Sequence, residues 1–341
     1  MTTFNVKTGI PTKRSSPWPY GYVREWLYQP TTDVYCWMRG QADDGSGTYT
    51  GTPGALITNP ADIIYHLLVK RGNGLATTDF NTTSGGGLTM GSFVQARTDL
   101  NAKSADAAYK LSVFLTEPIN VWDAVAEIQR HCPGLAIYRS AVDNKFQAIV
   151  FEGTPGSEKT YTPAFSWADH IAHDQPFGLQ ESNSADVCTR VYVHYHWFAP
   201  EGKCLRTAFI TPTDSDDGEG NEDNTRETAA GTSETDYGTK NVFEADYPWI
   251  IDKDTAVAQR DFLFDRYSTP KLAVEFSAFL NAADLRLGHV ITFNADVDTH
   301  MPYIKYGDTA TWAAKKFQVI ELKHRLRDRR PYTITVTAVE V

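Results

Sequence analysis

The sequence is short of the features that announce a chemistry. It holds four cysteines, Cys36, Cys132, Cys188 and Cys204, and no two stand in a C-x-x-C spacing. Their gaps do not resemble a zinc or iron–sulfur ligand set. The reading is four reduced, mostly buried thiols. A Cys188–Cys204 bridge is the alternative, with no sign of an oxidising compartment to support it. No apolar run follows a basic start at the N-terminus, so no signal peptide is expected. No run approaches the ~18–20 apolar residues that a membrane span needs. These absences predict a soluble, cytosol-type protein without a membrane span.

Catalytic signatures are missing as well. There is no G-x-S-x-G elbow and no H-E-x-x-H pair. Gly85-Gly86-Gly87 lacks the Lys-Ser/Thr tail of a phosphate-binding loop and the spacing of a dinucleotide fingerprint, so it reads as a turn. Paired carboxylates are set in three dimensions, and with 42 Asp and Glu residues an accidental pair is always on offer, so none is nominated. Basic charge is in deficit: 32 Lys and Arg leave a formal net charge of −10. An acidic chain gains nothing from neutralising phosphates, which excludes sequence-independent wrapping of nucleic acid. An acidic wall can instead let DNA pass without holding it.

What is present is ordinary for a globular chain: 341 residues, 41% hydrophobic and 22% charged, enough for a sizeable core. Residues 1–56 are rich in Pro, Gly and Thr with short apolar stretches such as 34–38, and predict strands or an arm that rests on something else. The clearest helix follows, with Asn59 as cap, Pro60 at the first position, Ile63, Ile64, Leu67 and Leu68 as the stripe, and Gly72 as the stop. A second helix is expected over 93–100 and a helix or helix–strand transition over 105–115. A third starts at Asn120 and stops at Cys132-Pro133-Gly134, leading into a hairpin of 135–138 and 146–151. Strand 190–198 alternates Val191, Val193 and Tyr195 with Tyr192, His194 and His196. Residues 213–240, acidic and poor in apolar side chains, read as a solvated, mobile loop. A fourth helix is expected over 255–267. Strands follow at 272–280, 290–293, 317–322 and 332–341, the last two joined by the basic turn 325–330.

Three groups merit weighing as sites. His194 and His196 share a strand face at i and i+2, a two-ligand arrangement without a third ligand tied to it. His170 and His173 lack the second half of a helical metal motif. A calcium loop starting at Asp214 would meet Gly218 at a ligand position and Thr225 where a Glu is required. The expectation is therefore no catalytic, metal or cofactor residue, and no cofactor.

The order of several segments resembles a known family. Residues 59–68, residues 121–128 with the Cys-Pro-Gly stop and hairpin, Tyr247-Pro248-Trp249-Ile250 with the following helix, 285–291 (LRLGHVI) and 317–320 (FQVI) resemble the tail hub and baseplate hub proteins of tailed phages, including the tip attachment protein of lambda-like phages. The resemblance implies an α+β, β-dominated fold: a tube-like β-barrel or sheet domain plus a helix-and-hairpin α+β domain. Along the chain this divides into an N-terminal arm (1–56), an α+β hub domain (57–155) and a tube-like domain (156–341) with an acidic loop insertion (213–240). It implies a non-enzymatic virion protein assembled in the host cytoplasm as a homotrimer. Its partners would be tail tube, distal tail and tail tip or fibre proteins, around a channel through which DNA passes without specific binding. The chain departs from the lambda-like protein in being much shorter, and residues 1–56 are too few for a complete first tube-like domain. The rival functions are a tail-carried peptidoglycan hydrolase and a carbohydrate-binding tail module.

Overall fold

A computed structural model describes residues 2–4, 34–36, 40–70, 75–80, 93–115, 119–140, 144–151, 160–172, 177–213, 223–238, 240–301, 311–325 and 332–341. Near the N-terminus, β1 (Thr2–Phe4) pairs antiparallel with β2 (Val34–Cys36). Local signals then build the helices. The Asn59 side chain accepts from the Ala61 N–H at 3.0 Å and starts α1 (Pro60–Lys70). α2 (Phe93–Lys103) extends a turn beyond its expected end. In α3 (Val121–Arg130), Asn120 caps by accepting from the Trp122 N–H at 2.8 Å. Gly134 then takes φ +71 and turns the chain into the hairpin β3 (Leu135–Arg139) and β4 (Phe146–Val150). The rings of Tyr65, Phe80, Phe93 and Phe146 meet at 5.1–5.5 Å and lock the two helices onto the hairpin. The stretch 105–115 does not form the helix that was one expectation for it. It runs extended after a turn, because its backbone is taken up elsewhere: Leu111 N–H donates to Thr58 O at 2.9 Å and Ser112 N–H to Trp249 O at 2.8 Å.

A three-stranded sheet comes next, in the order β7-β6-β8. β6 (Cys188–Phe198) pairs antiparallel with β7 (Lys203–Ile210) and parallel with β8 (Asn241–Asp246). Parallel neighbours need a long crossover. That requirement corrects the expectation of a mobile loop at 213–240: residues Asn224–Tyr237 form a helix, α4, between β7 and β8, while 214–222 lie outside the described residues. Asp223 caps α4 by accepting from the Arg226 N–H at 3.0 Å. Then α5 (Lys253–Tyr267) covers the face of β6 that carries Val191, Val193 and Tyr195. This sheet and α5 share one apolar core with α1, α2, α3 and the hairpin. The chain between 188 and 267 therefore buries its apolar faces with the preceding helices, although in sequence it adjoins the strands that follow.

A separate second core belongs to a five-stranded antiparallel sheet, in the order β10-β11-β12-β9-β5. Its strands are β5 (Gly178–Glu181), β9 (Leu272–Ala278), β10 (Val290–Thr292), β11 (Lys316–Arg325) and β12 (Thr333–Glu340), with the short helix α6 (Asp296–His300) after β10. Phe293 is central, with ring centroids of Trp312, Phe317 and Phe276 at 5.1, 5.5 and 5.6 Å. The two edge strands are the shortest of the five, which limits what an open edge offers. Among the described residues the sheet does not close into a barrel, and the fold is the expected α+β, β-rich one, with several open sheets.

Candidate interaction surface

A cleft of about 730 Å³ lies between the loop that precedes α1, one face of α1, the extended stretch 110–115 and the start of α5. Its floor is apolar: Leu56, Ile57, Ile63, Leu67, Leu111 and Leu115 all line it. Leu56 is 39% exposed and Leu115 43%, so the floor opens to solvent. The loop that forms one wall is held rigid from within. The Asp43 carboxylate accepts from the N–H groups of Tyr49 and Thr50 and from the Thr50 hydroxyl, the last two at 2.5 Å. Arg97 on α2 then pins the loop to α1, donating to Tyr49 O at 3.2 Å and to both Asp62 oxygens at 3.2 and 3.3 Å. Burial pushes the Asp62 carboxyl up to about 7, against the opposing pull of Arg97.

Asp252 and Lys110 line one end of the cleft. Asp106, Asp252 and Asp254 hold carboxylate oxygens within 4.8 Å of one another. Lys110 is ion-paired with Asp106, and Asp252 caps α5 by accepting from Thr255 N–H at 3.1 Å. Asp106 and Asp252 therefore already serve the fold.

The residues weighed from sequence are scattered. Gly85–Gly87, His173 and residues 214–222 lie outside the described residues. His170 Nδ1 accepts from Ser166 N–H at 3.2 Å, a local turn contact. Cys132, Cys188 and Cys204 are free thiols, which corrects the alternative of a Cys188–Cys204 bridge: β6 pairs Cys204 with Trp197, nine residues along the strand from Cys188. His196 takes φ +62 and its N–H donates to Ile250 O at 2.8 Å. His194 sits between Thr207 Oγ1 (2.7 Å from Nδ1) and Glu244 Oε1 (2.8 Å from Nε2). A carboxylate only accepts, so Nε2–H donates to Glu244, while the Thr207 hydroxyl can serve Nδ1 as donor or acceptor. The line resembles a hydroxyl–imidazole–carboxylate relay. It stands on an open sheet face with Glu244 63% exposed, where water is not excluded, and it ties β6 to both neighbours. Sequence reasoning missed the cleft, because its floor is assembled from three separate stretches of chain. It also missed Arg226, whose signal was visible: a base within an acidic run.

Among the described residues, fold and surface together define an α+β protein with two apolar cores and an apolar cleft. No known protein family and no curated protein matches the sequence. Among solved structures, the chain is similar to a protein of the virion of a native gene transfer agent particle, with a TM-score of 0.44 and 11% identity over 90% of this chain and 54% of that one. It is also similar to the tail protein from Neisseria meningitidis MC58, with a TM-score of 0.39 and 12% identity over 77% of this chain and 70% of that one. The chain thus spans about half the length of the first.

Proposed function

We propose that the chain is a structural virion protein of a phage-type tail, a hub or baseplate component that joins tail tube to tail tip as a homotrimer around the DNA channel. The observation that carries the reading is a pairing. The two segments that weigh most in the resemblance, 285–291 and 317–320, lead into β10 and open β11, and they lie side by side: Val290 opposite Gln318 and Ile291 opposite Phe317. Motifs far apart in sequence thus form one local unit of the five-stranded sheet, which serves as the tube-like element. The helix-and-hairpin half, with its separate core, serves as the accessory domain. A trimer closes by threefold symmetry with heterologous contacts, and a chain of net charge −10 is suited to a channel that does not hold DNA.

Light scattering on the purified chain tests this, with an expected mass of three times 38.0 kDa. Labelling the chain in virions and imaging them places the label at the tail tip. A monomer that releases fragments from peptidoglycan overturns the reading.

A further inference from the structure

Exposed apolar surface gathers around α1. A second recess, of about 480 Å³, is walled by Leu68, Ile119, Val121, Trp122 and Phe146, and no charged residue lines it. α1 serves both hollows, with Leu67 in the cleft and Leu68 in the recess. Among the described residues nine large apolar side chains stand exposed, and four of them line these two hollows: Leu56, Leu115, Ile119 and Trp122. Together the four show roughly 350 Å² of apolar surface to solvent, the size at which a patch marks a protein contact. Single leucines scattered over a surface would need no such explanation.

The most exposed large apolar side chain among the described residues belongs to the other half. Leu280 is 57% exposed and opens a 3-10 turn, Leu280–Ala282, after β9. The turn is held in place: Phe279 N–H donates to His170 O at 2.9 Å and Asn281 Nδ2 to Asp169 O at 2.8 Å. A knob fixed beforehand loses little freedom on contact. Residues 279–283 (FLNAA) carry no charge. We infer that the face around α1 receives this turn from a second copy of the chain, with Leu280 seated in the cleft between Leu56 and Leu115. The charged groups lining the two hollows are Lys110 and Asp252, at one end of the cleft, so the contact buries apolar surface without stripping an ion of water. Knob and hollow sit on different halves of one chain, as a heterologous contact that closes into a ring requires. The chain supplies both surfaces, which points to a second copy as the occupant. The inference rests on the homotrimer reading and names the contact that would build it.

Light scattering on the full-length chain and its variants tests this. The parent is expected at three times 38.0 kDa, and L280D and L115D each at 38.0 kDa, with unchanged far-UV circular dichroism. L56D, on the opposite wall of the cleft, is expected to match L115D. L280M and L115M keep volume and apolarity and stay trimeric. A mixture of L280D and L115D pairs one intact face with one intact turn. It should recover twice 38.0 kDa without closing a ring. A mixture that stays monomeric overturns the pairing of Leu280 with the cleft. A trimeric parent whose aspartate variants are also trimeric overturns the inference and leaves the trimer standing. A parent that forms a dimer or a larger ring, broken by both variants, keeps the contact and overturns the trimer. A parent that is monomeric at every concentration overturns both.

Discussion

Arg226 on α4 grips Asp265 on α5 with both arms of its guanidinium, Nε donating to Oδ1 at 2.9 Å and an Nη to Oδ2 at 2.7 Å. The remaining Nη donates to the capping residue Asp223 at 2.7 Å and lies 3.2 Å from Asp261. A planar fork suits this bidentate grip as lysine would not. The helix it holds is otherwise weakly attached, since Ala230 and Ser233 are its buried residues. Polar pairing therefore does for α4 what an apolar stripe does for α1.

R226A removes that grip and leaves the acids around it under-neutralised. The expected cost is about 2–3 kcal/mol, felt by α4 first. Amide hydrogen exchange should rise across Asn224–Tyr237 while the five-stranded sheet keeps its protection. Unchanged exchange in α4 would show that the ion pairs contribute nothing to docking.

G134A tests the turn between α3 and β3. Gly134 has φ +71, and an added Cβ would lie 2.4 Å from Phe151 O. The backbone must shift at the point where Phe151 N–H donates to Gly134 O at 2.8 Å. Left-handed strain and the clash together should cost about 3 kcal/mol, read as a lower urea midpoint with an unchanged slope.

Arg97 and Asp62 form a pair with side chains 18% and 5% exposed. R97M keeps the stem of the side chain and deletes the charge, leaving Asp62 buried without its partner. Stability at pH 8 should fall by about 2–3 kcal/mol, and by less at pH 5, where the carboxyl can take a proton. A loss of equal size at both pH values would count against charge as the cause.

The legible parts of the fold are those written in local chemistry. Asn59-Pro60, Asn120 and the Pro133-Gly134 stop each specify a helix end within a few residues, and the alternation in 190–198 predicts which side of β6 is buried. What was not legible depends on distant partners. Residues 224–237 lack an apolar stripe, so periodicity reads them as loop. Their helix answers the need of β8 to run parallel to β6 and is fastened by Asp261 and Asp265 on α5. Residues 105–115 carry helix-compatible spacing, yet the N–H groups of Leu111 and Ser112 are claimed by Thr58 and Trp249. The cleft is of the same kind, since three stretches of chain build its floor.

Acid sensitivity follows from two imidazoles. His131 is fully buried, stacked on Trp249 at 4.7 Å, with Nδ1 against Glu127 O and no partner for Nε2; burial lowers it to about 4. His289 is likewise buried, accepts from Arg286 N–H at 3.2 Å, and is lowered to about 4 by burial and the nearby Arg286 charge. An unfolded histidine titrates near 6.5. Between 6.5 and 4 the unfolded chain therefore binds more protons, so both groups contribute stability that is complete above about pH 6.5 and is lost as pH falls. Down to pH 5 the loss is about 2 kcal/mol for each. Asp62, raised to about 7, and Asp261, raised by burial, act with the opposite sign over the same range, becoming less costly as they protonate. Carboxylates held low, such as Asp223 and Glu127, enter below about pH 5, which leaves pH 7 to 5 as the clean window. Urea unfolding across that window should show H289F losing less stability on acidification than the parent. D62N, which deletes an opposing group, should lose more. Parallel curves for the parent and H289F would remove His289 from the account, and a D62N curve flatter than that of the parent would reverse the sign assigned to Asp62.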